Sequence, residues 1–236
     1  MSPLRIPSAM IVGMREDRRA LGYDAVAEEY VRRYLHELDH KPFDRMVLDR
    51  FAASVRSGGT VVDIGCGPGQ IGRYLADRGL RVGGLDLSER SVACGRRLNP
   101  GMDFLCADMQ ALPIKNSAWS GIVAFYSVIH IPSDRVGDTL LEFARVLEPE
   151  APLLVAFHIG DETVHLDEWW ERRVSLDFHF FRPTDIRRGL QVAGFNVEEV
   201  LERDPYSEDV EYQSRRCYIF ARKSSVPTDG PDPAKE

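Results

Sequence analysis

Residues 61–72 read VVDIGCGPGQIG and decide the fold class of this 236-residue chain. An apolar run ends at an acid, Asp63, and four glycines follow between positions 65 and 72. This pattern is typical of a buried strand that turns directly into a helix, where glycine lets backbone N–H groups approach a ligand. Two motif registers fit the turn: residues 67–72 match G-x-G-x-x-G, and residues 63–69 match D-x-G-x-G-x-G.

Strands and helices alternate along the chain on both sides of this turn. The predicted strands are 60–65, 81–88, 102–108, the start of 120–131, 152–158, 195–202 and 217–223, and the predicted helices are 15–38, 42–55, 70–79, 88–99, 133–149 and 184–193. Ser88, Ser133 or Asp134, and Thr184 are the expected N-caps of three helices. Because the strands are nearly continuous apolar runs, the pattern predicts an α/β fold: a Rossmann-like, doubly wound, seven-stranded, mostly parallel sheet with an antiparallel last strand.

Composition divides the chain into four parts. Residues 1–56 form a predicted N-terminal helical cap, and residues 57–222 form the α/β domain. Residues 159–182 interrupt the alternation after the fifth strand and are dense in His, Trp, Phe and acids, so we expect a lid that contacts a ligand. The polar, proline-rich residues 223–236 are expected to be a disordered tail.

Bulk properties narrow the range of partners. The net charge of −7 and the pI near 5.5 argue against a nucleic-acid partner. No apolar run is long enough for a membrane span, and the first residues lack the apolar core of a signal peptide. The four cysteines are scattered, so we expect reduced thiols in a cytoplasmic protein. We expect no metal, because the spacing of His158, Asp161 and His165 fits no strong metal-binding pattern.

Three acids end three successive predicted strands. In the G-x-G-x-x-G register, Asp63 is a charge inside a strand without a purpose, whereas in the other register it ends the strand and can orient an ammonium group of a ligand. Asp86 can accept hydrogen bonds from two ribose hydroxyls, which suits either kind of nucleoside cofactor. Asp108 can accept a hydrogen bond from an adenine amine, with the Met109 N–H reaching the ring; a solvated loop acid is the alternative.

Five segments in order resemble the successive motifs of the class I S-adenosylmethionine-dependent methyltransferases that act on small molecules: VVDIGCGPG, GLDLSE, CADMQALP, IVAFYSVIHIP and LLEFARVLEPEAPLLVAFH. The resemblance covers residues 23–222. It implies S-adenosylmethionine as cofactor and S-adenosylhomocysteine as product. The implied cofactor contacts are Tyr23, Tyr30, Asp63, Gly65, Gly67, Gly69, Asp86, Leu87, Asp108, Met109, Phe125 and Tyr126. The chain departs from the family at residues 148–151, where Glu-Pro-Glu-Ala replaces the usual Lys-Pro-Gly-Gly.

The resemblance implies methyl transfer to oxygen or nitrogen of a small acceptor, by in-line displacement at the sulfonium methyl. His130 and His158 follow the ends of the fourth and fifth strands and are the candidate catalytic residues; a structural histidine before Pro132 is the alternative for His130. The candidate acceptor contacts are Tyr126, Asp161, Trp169, Glu211 and Arg215.

Two other functions stay open at this point. The first is an NAD(P)-dependent oxidoreductase, although no Tyr-x-x-x-Lys pair is evident. The second is a non-catalytic protein that binds S-adenosylmethionine, because a fold never proves chemistry. The sequence is compatible with a monomer or a homodimer, and it does not identify the acceptor.

Overall fold

The computed structural model describes residues 17–225. The start of the expected helical cap and residues 226–236 of the expected tail lie outside this range. The helices are α1 (Arg18–Tyr34), α2 (Pro42–Ser54), α3 (Gln70–Ala76), α4 (Glu89–Leu98), α5 (Val136–Val146) and α6 (Pro183–Val192), with 3-10 turns at Glu37–His40 and Val128–His130. The strands are β1 (Thr60–Ile64), β2 (Arg81–Asp86), β3 (Asp103–Cys106), β4 (Gly121–Phe125), β5 (Pro152–His158), β6 (Thr163–Trp169), β7 (Arg172–His179), β8 (Phe195–Arg203) and β9 (Arg216–Lys223).

Seven strands form one sheet in the order β3-β2-β1-β4-β5-β9-β8. The pairs among β1 to β5 are parallel, whereas β9 runs antiparallel to both β5 and β8. The predicted mostly parallel, seven-stranded sheet with an antiparallel last strand is therefore confirmed. The strand order reverses at β1, between β2 and β4, and ligands in such sheets bind beyond the carboxyl ends of the strands at this reversal.

Both faces of the sheet are covered, which explains the continuous apolar strands. One face packs against α5 and α6 through residues such as Leu140, Phe143 and Leu190. The other face packs against α2 and α3 through Phe51 and Leu75. None of the helices between residues 17 and 225 is both long enough and apolar enough to cross a membrane.

The predicted helix 15–38 is shorter in the structure. It begins after Asp17, whose carboxylate accepts a hydrogen bond from the Arg19 backbone N–H at 2.8 Å, and α1 ends at Tyr34. Residues 37–40 form a separate 3-10 turn. The apolar periodicity therefore predicted the helix correctly but extended it past its end.

One of the three predicted N-caps is correct. The Ser88 hydroxyl accepts a hydrogen bond from the Ser91 backbone N–H at 2.9 Å. The caps proposed for the other two helices are wrong: α5 begins at Val136, past both Ser133 and Asp134, and Thr184 lies inside the first turn of α6. The side chain at the actual N-cap position of each of these helices makes no capping bond.

The segment 159–182 is a β-hairpin formed by β6 and β7, a separate two-stranded sheet. The turn contains Trp170 and Glu171, both with positive φ. The buried Leu176 of β7 packs on Gly22 of α1, where a Cβ would lie only 2.7 Å from Leu176 Cδ2. The hairpin is therefore held against α1 at a position where a side chain would not fit.

Candidate active site

A cavity of about 300 Å³ lies beyond the carboxyl ends of β1, β2 and β4, with α1 and the hairpin on its other sides. Each of the predicted cofactor residues except Gly69 lines it: Tyr23, Tyr30, Asp63, Gly65, Gly67, Asp86, Leu87, Asp108, Met109, Phe125 and Tyr126. Both candidate catalytic histidines also line it, as do Trp169 and Glu211. The fold thus brings together residues from positions 23 to 211.

The glycine turn forms the floor of the cavity. A Cβ on Gly65, whose φ is +70°, would lie 2.2 Å from Ser127 Cβ, so a larger residue cannot fit there. Tyr30 covers Gly67 from above, its Cε1 being 3.6 Å from the place that a Cβ would take. Gly69 is a correction: it is the left-handed N-cap of α3, packs against Phe104, and does not line the cavity.

Asp63 has a structural role that its position in the motif did not reveal. Its Oδ2 accepts a hydrogen bond from the Gly72 backbone N–H at 3.0 Å, which satisfies the first turn of α3. The structure gives Oδ1 no donor among residues 17–225, and the residue lines the cavity. Burial raises the pKa of this carboxyl to about 7. Asp63 is therefore both a helix cap and a carboxyl group available to a ligand.

Asp86 shapes the turn through hydrogen bonds to the backbone. Its Oδ2 accepts from the Gly67 N–H and its Oδ1 from the Ser88 N–H, both at 2.8 Å. Burial raises the pKa of this carboxyl despite these two bonds. A carboxylate has about four lone-pair positions, so Asp86 keeps acceptor capacity on the cavity side.

Asp108 is paired with a residue that the sequence did not single out. Arg19 of α1 donates from Nη2 to Asp108 Oδ2 at 2.8 Å, and the Gln110 N–H donates to Oδ1 at 2.9 Å. Asp17 holds the same guanidinium from the other side, with Nη2 at 2.7 Å from its Oδ2. Arg19 itself lines the cavity, so α1 supplies a cation next to the acid expected to bind adenine.

Aromatic side chains from α1 and the hairpin form one wall of the cavity. The ring centroids of Tyr23 and Tyr30 lie 5.8 Å and 6.1 Å from Trp169, both edge-to-face. Phe178 of β7 lies edge-to-face against Trp169 at 5.7 Å. Such aromatic pairs stabilise the packing of α1 against the hairpin.

His130 has both ring nitrogens engaged. Nδ1 lies 3.0 Å from the Asp177 carbonyl oxygen of β7, and Nε2 lies 2.7 Å from the Tyr23 hydroxyl. Because a carbonyl oxygen only accepts, Nδ1 carries the proton, and Nε2 accepts from Tyr23. Burial lowers the pKa of His130 to about 4, so the imidazole is neutral at pH 7.

His158 ends β5 and lies between two aromatic rings. Its ring stacks on Phe180 at 5.0 Å and lies 5.3 Å from Tyr126. Nδ1 lies 2.7 Å from the Ser214 hydroxyl. Burial and the nearby charge of Arg216 lower the pKa of His158 to about 3, which keeps this imidazole neutral as well.

A buried polar network joins α2, the end of β8 and the start of β9. Tyr218 donates its hydroxyl to Asp44 Oδ1 at 2.8 Å, and Arg203 donates to Asp44 Oδ2 at 2.9 Å and to Glu211 Oε2 at 3.0 Å. The Tyr126 hydroxyl lies 2.7 Å from that of Tyr218, whose proton already goes to Asp44, so Tyr126 donates into the network. Glu211 and Tyr126 line the cavity, but their polar atoms are largely engaged away from it.

Two of the expected acceptor contacts do not line the cavity. Asp161 is exposed and pairs with Arg182. Arg215 is exposed and pairs with Glu202 at 2.9 Å, whereas the next residue, Arg216, is buried and lines the cavity. Successive residues at a strand point to opposite faces, so Arg216 faces the cavity and Arg215 does not.

Residues 61–150 match the family model of a methyltransferase domain. The sheet agrees with this match, because solved methyltransferase structures superpose on the same fold. Residues 61–150 of the chain are therefore similar to a methyltransferase domain.

The malonyl-(acyl-carrier protein) O-methyltransferase of Enterobacter lignolyticus strain SCF1 is 30% identical over 152 residues, which are 62% of this chain and 58% of that protein. The CcbJ methyltransferase of Streptomyces caelestis has a similar fold, with a TM-score of 0.65, 17% identity, and coverage of 89% of this chain and 100% of that chain. The (4+2)-cyclase SpnF also superposes, with a TM-score of 0.62, 19% identity, and coverage of 76% and 80%. The chain spans under two thirds of the length of the first curated relatives it matches.

The cavity contains two buried oxygens that have no hydrogen-bond partner among residues 17–225. They are Gln70 Oε1 and Ser127 Oγ, and both residues line the cavity. An unpaired buried polar atom costs about 1–3 kcal/mol, so a ligand with donor groups fits this site better than an apolar one. The ammonium, ribose hydroxyls and adenine amine of S-adenosylmethionine are such donors, and Asp63, Asp86 and Asp108 are matching acceptors.

Several cavity residues had no signal in the sequence. Glu37 and Lys41 line the cavity and form an ion pair, Lys41 Nζ lying 2.6 Å from Glu37 Oε2, while Gln70 donates to Glu37 Oε1 at 2.9 Å. The sequence around Glu37, Lys41 and Gln70 is ordinary for helices and turns, and only the fold brings these residues to the cavity. Within residues 17–225 no three His, Cys, Asp or Glu side chains are grouped so that they could hold a metal ion.

Proposed function

We propose that this chain transfers a methyl group from S-adenosylmethionine to an oxygen or nitrogen atom of a small acceptor. The observation that carries the proposal is the meeting of Asp63, Asp86 and Asp108, from the ends of three adjacent strands, around one cavity. Three carboxyl groups at the ends of adjacent strands, beside the glycine turn, match the three donor groups of an adenosyl amino acid. The match of residues 61–150 to a methyltransferase domain supports the same cofactor.

The proposed binding roles follow the strand order. Asp86 accepts the ribose hydroxyls, Asp108 accepts the adenine amine, and Asp63 orients the ammonium group. Gly65 and Gly67 allow the backbone to approach, and Tyr30 closes over the turn. The bound cofactor supplies a methyl group made electrophilic by its sulfonium.

The chain's own contribution is geometry, exclusion of water and the handling of one proton. α1 and the hairpin cover the cavity with Tyr23, Trp169 and Phe178, which shields the reacting atoms from solvent. Alignment of the acceptor with the methyl group is the largest expected contribution to the rate, because correct orientation lowers the activation barrier by several kcal/mol. His130 is neutral and can take the acceptor's proton at Nε2 when Tyr23 releases that atom.

Oxygen is the favoured target atom. The Enterobacter lignolyticus relative is named an O-methyltransferase, and its aligned segment of 152 residues makes up 62% of this chain. A hydroxyl or carboxyl acceptor also gives the neutral His130 a role, because a hydroxyl needs a base more often than an amine does.

The sheet disfavours the oxidoreductase alternative. The dinucleotide-binding fold has the parallel order 3-2-1-4-5-6, whereas here the antiparallel β9 lies between β5 and β8. A protein that binds the cofactor without transferring methyl is an outcome of the test below.

The test has a binding arm and a turnover arm. S-adenosylhomocysteine is expected to raise the melting temperature of the wild-type chain, and Asp86→Ala is expected to abolish the shift. The exposed Asp138 of α5 is the matched control, and Asp138→Ala should keep the full shift. No shift at saturating ligand would overturn the proposal. Transfer of labelled methyl is then screened across phenols, carboxylates and amines; binding without any transfer would leave a non-catalytic binding protein.

A further inference from the structure

His158, Ser214 and Arg216 form a chain of side chains that leads into the cavity. His158 is the last residue of β5 and pairs across the sheet with Arg216, the first residue of β9. Ser214 lies just before β9, and its hydroxyl contacts both neighbours: Nδ1 of His158 at 2.7 Å and Nη1 of Arg216 at 3.0 Å. The pairing of two strand ends thus holds a serine between an arginine and a histidine.

Arg216 is fixed and can only donate. It is 3% exposed, its Nε donates to Glu211 Oε2 at 3.0 Å, and its Nη2 donates to the Tyr212 carbonyl at 3.0 Å. Its Nη1 donates to the carbonyl and to the hydroxyl of Ser214. Guanidinium has no acceptor, so the Ser214 hydroxyl uses one lone pair to accept from Arg216.

The hydroxyl proton of Ser214 then determines the tautomer of His158. Between residues 17 and 225, the structure provides that proton with one acceptor, His158 Nδ1. If Nδ1 carried a proton instead, the serine hydroxyl would have no acceptor, which is costly in a partly buried position. The satisfied arrangement therefore leaves Nδ1 unprotonated, and the neutral ring carries its proton on Nε2.

Nε2 of His158 is open toward the cavity. The structure records no hydrogen-bond partner for it among the described residues, and His158 lines the cavity. Stacking on Phe180 and contact with Tyr126 restrict rotation of the ring. The fixed charge of Arg216 behind the ring also opposes protonation of His158.

We propose that His158 is a hydrogen-bond donor that recognises a carbonyl or carboxylate oxygen of the acceptor. This inference rests on the proposed function, because it takes the recognised molecule to be the methyl acceptor. The tautomer of His158 does not depend on that function. It gives the two histidines opposite roles: His130 offers a lone pair at Nε2, and His158 offers a proton at Nε2. Ser214 and Arg216 are positioning residues that act through His158. The acceptor class is a small molecule whose nucleophilic atom lies near, or belongs to, a group with a carbonyl or carboxylate oxygen.

The tautomer can be measured without any turnover. The chain contains six histidines, and long-range nitrogen–proton correlation spectra of protein with ¹⁵N-labelled histidine distinguish protonated Nδ1 from protonated Nε2. At pH 7 we expect the Nε2–H form at His158, assigned by the signal lost in His158→Gln. In Ser214→Ala, which removes the hydroxyl donor, the signal should move toward the Nδ1–H form. A wild-type His158 in the Nδ1–H form would overturn the proposal even if methyl transfer is observed.

Kinetics with the best acceptor from the screen provide the second arm. His158→Gln keeps an N–H donor near Nε2, so KM should stay within about threefold of wild type. His158→Leu removes the donor, and KM should rise at least about tenfold with a smaller change in kcat, as expected for loss of a hydrogen bond of about 1.5 kcal/mol. A fall in kcat with KM unchanged would mean that His158 handles the proton and would overturn the proposal. If the chain binds no cofactor, the proposed function fails while the tautomer result still decides the state of His158.

Discussion

The hydroxyl of Tyr23 lies 2.7 Å from Nε2 of His130, so a residue of the first helix occupies the free lone pair of this histidine. Nδ1 of the same ring binds the backbone of β7 at Asp177. One imidazole thus connects α1, the turn after β4 and the hairpin, which are the elements that enclose the cavity. An acceptor that uses His130 as a base must replace Tyr23 at Nε2.

Replacing His130 should affect turnover far more than replacing its partner. His130→Ala removes the base and is expected to lower kcat for a hydroxyl acceptor by about 10²–10⁴-fold. Tyr23→Phe frees the lone pair without removing it, so kcat should change by less than about tenfold. Labelled-methyl transfer measures both. His179 of β7 bonds Thr163 and does not line the cavity, so His179→Ala is the control and should keep the wild-type rate. Equal rates for His130→Ala and wild type would exclude His130 as the base.

Cofactor binding should release a proton below neutral pH. Burial raises the pKa of Asp63 to about 7, so the free protein holds a proton on this group at pH 6. An ammonium group beside the carboxyl favours the ionised form and drives that proton off. We expect S-adenosylhomocysteine to release up to one proton at pH 6 and markedly less at pH 8, measured by titration calorimetry in buffers of different ionisation enthalpy. In Asp63→Asn the release should disappear; its persistence would point to another group.

The parts of the site that were predictable are those set by local sequence. Asp63, Asp86 and Asp108 each end an apolar run, and the carboxyl ends of neighbouring parallel strands meet at one edge, so their convergence follows from the alternation alone. Arg19 and Ser214 could not be predicted, because they reach the cavity through the packing of α1 and the start of β9.

The site predictions are wrong at two kinds of position. In one, a shift of one residue places the side chain on the opposite face; in the other, a motif residue serves packing and not the cavity. The sequence does not determine where β9 starts, and therefore does not determine which face Arg215 and Arg216 occupy. Gly69 fits the motif but serves the cap of α3 and the contact with Phe104. The motif contains glycines that line the cavity and glycines that serve helix capping and packing, and it does not distinguish the two.

The buried ion pairs between α2, the end of β8 and the loop before β9 should be sensitive to loss of their central cation. Arg203 binds both Asp44 and Glu211, and all three side chains are at most 9% exposed. Arg203→Met leaves two buried carboxyl groups without this partner, and the free energy of unfolding should fall by about 3–5 kcal/mol. Urea unfolding at pH 7 measures the change. The half-exposed Arg50–Glu199 pair is the control, and Arg50→Met should cost about 0–1 kcal/mol. A loss below 1 kcal/mol in Arg203→Met would show that the network is not needed for stability.

The neutral His130 should make the wild-type chain lose stability in mild acid relative to a variant without it. Burial holds the folded pKa at about 4, whereas an unfolded histidine has a pKa near 6.5, so between these values the unfolded chain binds more protons. This contribution opposes folding as pH falls and is nearly absent above pH 7. The raised pKa values of Asp63 and Asp86 act in the opposite direction, so the comparison must be made between proteins that share them. Between pH 7 and pH 5, wild type should lose about 2 kcal/mol more than His130→Asn in urea unfolding. Parallel losses in the two proteins would mean that His130 is protonated in the folded state, which would contradict its proposed role as a lone-pair acceptor at Nε2.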